Sequence, residues 1–314
     1  MEACGDKQMV FGGSRRLRGD LACVDRRRDA CLSPGLCGSQ LLPYVALCWI
    51  AILVSVASGC RAVEHKILYA PDTYPQRWWQ PVEGEMIGLS FEDVNFQSVD
   101  GTALNGWYVR PESQTPSQVV VYAHGRNANI SITKRFLFEF VRRHQVAVFA
   151  FDYRGYGKSA GRPSEQGIYQ DLRAARDWAC ARTGRDPSDI VLMGRSMGAA
   201  AVIDLAAQEP PKAMIIESAF TSSADVLKYY TKNFLQGKRI HSSFDSLSKI
   251  GNYPGPVFIG HGKYDKTIPC THSARLADAA VCATRVKLSV FDGGHLTSTS
   301  DDYTNSMHEF FENL

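Results

Sequence analysis

Beyond residue 90 the chain alternates between short apolar runs and stretches where apolar residues recur every three or four positions. Runs at 118–123, 146–151, 190–193, 213–216, 257–259 and 286–291 predict strands, and the continuous hydrophobicity of those at 118–123 and 146–151 suits strands buried on both faces. The intervening stretches predict helices. Ile132, Phe136, Phe140 and Val141 share one helical face, with Ser131 as the expected cap. Ile168, Leu172, Ala175 and Ala179 share another. Residues 197–207 and 273–281 follow, and Tyr303, Met307, Phe310 and Phe311 predict a last helix. At the front, 91–98 and 104–109 flank Asp100-Gly101, which predicts a hairpin. Strands that alternate with helices give an α/β domain: a mostly parallel, doubly wound sheet with an antiparallel leading hairpin.

That domain is expected over 91–314, with a short helical insert at 221–253. The insert carries Val226, Leu227, Tyr229, Tyr230, Phe234, Leu235, Phe244 and Leu247, a content that suits either a lid over an acyl pocket or plain core packing. Its Lys228, Lys232, Lys238 and Arg239 read as a solvated face or as contacts for an anionic ester. Residues 61–90 hold Pro71, Pro75, Pro81 and the Trp78-Trp79 pair without a clear period. They are expected to form an irregular lead-in that packs on the domain or reaches a membrane.

Residues 1–60 have a different pattern. Seven basic residues precede an uncharged stretch from Ala30 to Cys60, with an apolar heart at 41–57. Basic start, apolar run and small residues before a break are the parts of a secretory signal. The break Ala57-Ser58-Gly59-Cys60 resembles the lipobox of bacterial lipoproteins, which implies that Cys60 becomes a lipidated N-terminus on the periplasmic or extracytoplasmic face. The same stretch also approaches the ~20 residues of a spanning helix, so an uncleaved membrane anchor is the alternative. Forty residues ahead of the apolar heart is long for a signal, which points to a start downstream of Met1.

Composition adds limits. The chain has 314 residues, 45 % of them hydrophobic and 21 % charged, ordinary for a domain with a real core. The net charge is +3, and the leader holds seven of the basic residues against five acids, so the remainder is nearly neutral. Nothing there calls for a nucleic-acid partner. Of nine cysteines, only Cys180, Cys270 and Cys282 lie beyond the leader, too few for a disulfide framework.

The chemistry is concentrated in a few motifs. Gly194-Arg195-Ser196-Met197-Gly198 sits between a predicted strand and a predicted helix, the context of a strained turn that lifts a serine hydroxyl above a sheet. Serine needs a base, and the base needs an acid to orient it. His295 follows the last strand in Asp292-Gly293-Gly294-His295, a loop able to carry an imidazole back over the sheet edge. His308 falls on the last helix, while His124 and His261 are expected to brace loops at strand ends. Asp265, in Gly262-Lys263-Tyr264-Asp265, is the expected acid. Glu217 is its competitor, or else pins the insert. Asp152 and Arg154 are expected to lock their loop by hydrogen bonds and an ion pair. The Asn129-Ile130-Ser131 glycosylation sequon is expected to be incidental.

Together with Tyr122-Ala123-His124-Gly125-Arg126-Asn127 and Asp152-Tyr153-Arg154-Gly155-Tyr156-Gly157-Lys158-Ser159, these motifs resemble the α/β-hydrolases of the serine-aminopeptidase-like type. The closer resemblance is to their membrane-associated Bem-like branch. It implies a triad of Ser196, Asp265 and His295, with an oxyanion hole from the backbone N–H groups of Met197 and Arg126. Arg126 stands where the branch has Asn, which keeps the backbone donor but adds a bulky cation. The implied reaction is hydrolysis of an ester or thioester on a small acyl or lipid-like substrate, with no metal or organic cofactor. An aminopeptidase-like amide hydrolase and a non-catalytic binding module are the alternatives.

Overall fold

The computed structural model describes residues 65–66, 68–71, 73, 87–113, 115–230, 243–295 and 300–314. The leader with Cys60, the Trp78-Trp79 pair and the insert's Phe234, Leu235, Lys232, Lys238 and Arg239 lie outside them.

Eight strands form one sheet: β1 (Leu89–Gln97), β2 (Ala103–Pro111), β3 (Val119–Ala123), β4 (Ala147–Asp152), β5 (Ile190–Arg195), β6 (Ala213–Glu217), β7 (Val257–Gly262) and β8 (Val286–Phe291). Their order is β1-β2-β4-β3-β5-β6-β7-β8. The β1–β2 and β2–β4 pairs are antiparallel, and every later pair is parallel. Gly101, at φ 82°, turns the leading hairpin. Among the described residues, seven helices connect or follow the strands: α1 (Lys134–His144), α2 (Glu165–Thr183), α3 (Met197–Gln208), α4 (Ser223–Tyr230), α5 (Ser246–Ile250), α6 (Thr271–Ala279) and α7 (Asp301–Glu312). This is the mostly parallel sheet with an antiparallel leading hairpin that the periodicity predicts, and the α/β-hydrolase fold that the resemblance implies.

Strand alternation sorts the core into two layers. Val119 and Val121 of β3, Leu192 of β5 and Ile216 of β6 face α2, α3, α5 and α6. Val120, Tyr122, Met193 and Ile215 face α1 and α7. The central strands β3 to β6 are buried on both faces, which is why their sequences read as unbroken apolar runs. Leu68 and Tyr69 of the lead-in join the first layer, where Tyr69 lies 6.1 Å from the Phe244 ring.

Two local expectations are corrected. Ser131 does not cap α1: Thr133 holds that position, and the Ser131 hydroxyl donates to Asn129 Oδ1 at 2.6 Å. That bond leaves Asn129 fully buried inside its sequon. Arg154 does not pair with Asp152; its guanidinium meets Asp171 at 2.8 Å and Asp100 at 2.7 Å. The Asp152 carboxylate instead accepts from the Ile130 N–H at 2.9 Å.

Burial falls off between the last two strands of the sheet. Phe258 on β7 is fully buried between the Tyr303 and Phe310 rings of α7, at 5.7 and 5.5 Å. Val290 on the edge strand β8 is 48 % exposed. Phe258→Ala is expected to cost about 3–5 kcal/mol in urea unfolding. Val290→Thr is expected to stay within about 0.5 kcal/mol. Similar losses at both sites would contradict this layering.

Candidate active site

The turn between β5 and α3 holds Ser196 at φ 54°, ψ −114°, a left-handed conformation that costs a non-glycine residue free energy. Its neighbours explain how it persists. A Cβ at Gly194 would lie 2.3 Å from the Gly198 carbonyl oxygen, and one at Gly198 only 2.1 Å from that of Ala123. Only bare backbone lets the first turn of α3 press against the ends of β3 and β5. The Ser196 N–H donates to the Glu217 carbonyl at 2.8 Å, tying the turn to β6. Met197 opens α3, so its N–H has no partner within the helix and points toward the favourable end of the dipole.

Beside it, the loop after β3 carries His124, Gly125 and Arg126. Tyr153 donates its hydroxyl to the His124 carbonyl at 2.8 Å, and His124 Nε2 lies 3.4 Å from Asp152. The His124 ring also packs on Tyr153 and Tyr156, with centroids 4.5 and 5.3 Å away. His124 therefore braces the loop that presents the Arg126 backbone.

Asp265 and His295 meet across the ends of β7 and β8. His295 Nδ1 lies 2.7 Å from Asp265 Oδ2. A carboxylate partner puts the proton on Nδ1 and leaves Nε2 as an acceptor, the tautomer a general base requires. The other oxygen, Oδ1, accepts from the Thr267 and Ile268 N–H groups at 2.8 and 2.9 Å. Burial pushes the Asp265 carboxyl up, but hydrogen bonds from His261, His295 and Ile268 outweigh it and hold the group well below its ordinary value.

Three of these supports were not anticipated from sequence. His261, fully buried, lies 3.2 Å from Asp265 Oδ2 and 2.8 Å from the Ile268 carbonyl through Nε2, and 2.6 Å from Ser273 Oγ through Nδ1. Both Nε2 partners are acceptors, so Nε2 carries the proton and His261 orients the acid. Ser218, at φ 46°, donates its hydroxyl to the His295 carbonyl at 3.0 Å. Glu217, the competing acid, is 3 % exposed and is held by Arg195 at 2.7 Å and by the Tyr303 hydroxyl. It pins the serine turn and α7, not the insert.

Ser196, Met197, Arg126 and His295 line one cavity of about 1470 Å³, while Asp265 stands behind His295. Of the insert, Val226, Leu227, Tyr230 and Phe244 reach this cavity. Leu227 and Phe244 are also core residues, and Tyr229 and Tyr230 are exposed.

Comparisons with known proteins bear on the family and the fold. The family model for serine aminopeptidase, S33, matches residues 114–238. An uncharacterized protein of Mycobacterium tuberculosis is 33 % identical over 239 residues, spanning 75 % of this chain and 83 % of its own. The alpha/beta hydrolase domain-containing protein WAV2 of Arabidopsis thaliana is 31 % identical over 242 residues, spanning 72 % of this chain and 78 % of its own. Among solved structures, the Pyrococcus furiosus esterase Pf2001 aligns with a TM-score of 0.64 at 20 % identity, over 78 % of this chain and 97 % of its own. The acetyl xylan esterase from Paenibacillus sp. R4 gives 0.59 at 22 % identity, over 76 % and 86 %.

The depressed Asp265 carboxyl links the site to acid stability. A carboxyl lowered on folding stabilises the native state fully above its ordinary value of 3.8, and that contribution drains as pH falls through the native value. Acid titration of the unfolding free energy is expected to show a loss below about pH 4 that Asp265→Asn flattens. Asp100, lowered to about 2 by its hydrogen bonds to Arg154 and Thr102, contributes a slope common to both proteins. Identical slopes would contradict the assignment.

Proposed function

The chain belongs to the α/β-hydrolase superfamily, and on that premise we propose that it is a serine hydrolase cleaving a carboxylic ester or thioester through an acyl-enzyme on Ser196. The carrying observation is the 2.7 Å His295–Asp265 hydrogen bond beside a strained serine that shares a cavity with His295. Ser196 Oγ attacks the carbonyl carbon as His295 Nε2 takes its proton. The Met197 and Arg126 N–H groups receive the oxyanion, each such donor being worth ~100- to 1,000-fold in rate. The protonated imidazole gives its proton to the leaving group, and the same histidine then activates water to release the acid.

Ester chemistry is favoured over aminopeptidase chemistry by the charges of the cavity. A peptide's terminal ammonium needs a carboxylate, and the lining carries one among the described residues, Glu139, which Arg135 already holds at 3.0 Å. The esterase names of the two structural neighbours point the same way. Intact triad members weigh against a purely binding role.

The purified chain is expected to turn over chromogenic acyl esters, with Ser196→Ala losing about 10⁴-fold or more in kcat. A wild-type protein inert toward acyl esters of every chain length would contradict the reading.

The leader supports a tether. Among the described residues no helix is long and apolar enough to cross a membrane, so the attachment proposed here rests on the segment ending at Cys60. Mass spectrometry of the N-terminus from a membrane fraction is expected to find a lipid-modified Cys60. An unmodified terminus far from Cys60 would overturn the lipoprotein assignment.

A further inference from the structure

The cavity draws its lining from both core layers, and the two sets differ in their surroundings. Leu68, Phe220, Phe244 and Ile268 come from the first layer. Phe136, Phe140 and Met307 pack on the second, where Arg135 and Arg143 stand on the same helix α1, and Arg126 joins the lining from the loop after β3.

The cations are not balanced from within. Among the described residues, five basic side chains line the cavity against one carboxylate, Glu139. Arg195 is matched by Glu217 and Arg135 by Glu139, at 2.7 and 3.0 Å. Lys66, Arg126 and Arg143 meet no acceptor among the described residues. Arg126 is the one nearest the chemistry in sequence and space. It follows Gly125, where a Cβ would lie 3.6 Å from the Ser196 Cβ, and it is half-buried. A half-buried cation without a partner costs free energy that a bound anion restores. The same cavity lining holds a second unused donor. The Tyr122 hydroxyl is buried without a hydrogen-bond partner. Burial raises its pKa to about 12, so it keeps its proton and can donate to an anion.

We propose that the substrate ester carries a negatively charged group on its leaving alcohol or thiol, received by Arg126, with the acyl chain among Leu68, Phe220, Phe244 and Ile268. The proposal rests on the hydrolase reading above. Phosphate, carboxylate and sulfate share the required chemistry.

Four butyryl-sized esters test it: neutral 4-nitrophenyl butyrate, 3-carboxy-4-nitrophenyl butyrate with an anionic leaving group, mono-4-nitrophenyl glutarate with an anionic acyl group, and cationic butyrylthiocholine. Rates are taken relative to alkaline hydrolysis of each ester. At low ionic strength the anionic leaving group is expected to raise kcat/KM about tenfold over the neutral ester, the scale of one charge-assisted hydrogen bond. The gain is expected to shrink in about 0.5 M salt, and the glutarate and thiocholine esters are expected to show none. Arg126→Gln is expected to bring the anionic-to-neutral ratio near one, and Arg126→Lys to keep part of it. If Arg126→Gln does not fold, the wild-type ratio and its salt dependence still decide. Turnover of the neutral ester without anionic preference, a gain on the glutarate instead, or a ratio unchanged in Arg126→Gln would overturn the proposal and leave the hydrolase intact. Where the butyryl esters fail, the same four are compared at the chain length that turns over, and failure at every chain length would remove the hydrolase reading and this proposal with it.

Discussion

A serine held at φ 54° is the constraint from which the rest of the site follows. Free chains avoid that conformation, and this one keeps it because β5, α3 and β3 close around it at van der Waals limits. The approaches at Gly194 and Gly198 leave no room for a side chain. Rigid flanking strands supply the packing that overrules the local preference, so the strain is held by the sheet rather than by the turn itself. What this gains is direction: the hydroxyl leaves the sheet edge beside the first N–H groups of a helix, where negative charge is favoured.

Around that turn, buried polar groups tie separate crossovers into one edge. Glu217 ends β6 and joins the serine turn, through Arg195, to α7, through Tyr303. Asp265 gathers two backbone N–H groups and two histidines. Asp152 and His124 steady the loop after β3. Glu217 and Asp265 take their partners from different connections, and low local dielectric makes an unpaired member costly. The geometry of the candidate site therefore depends on the sheet order more than on any single loop.

The strands were legible because burial on both faces leaves a continuous apolar run, and the serine turn because its glycines are demanded by close approach on either side. Asp265 and His295 could be chosen because chain order places acid before base after successive late strands. The misreadings share a cause in competition for polar partners. Ser131 looked like a cap, yet Asn129, two residues away, takes its hydroxyl. Arg154 found its carboxylates 17 and 54 residues away, on α2 and in the leading hairpin, which no local pattern announces. His261 reads as a loop brace, but that it braces Asp265 depends on the turn carrying Ile268 back beneath the ring. Ser218 gave no signal at all, since a serine after a strand is unremarkable until His295 is seen above it.

The most direct test of the central claim is where the protein reacts. A fluorophosphonate probe applied to the full chain, followed by peptide mass spectrometry, is expected to leave a single adduct on the peptide containing Ser196. Mutation of His295 to Ala is expected to slow its formation sharply. An adduct on Ser218 or another serine, or no adduct at all, would contradict the assignment of Ser196 as the nucleophile.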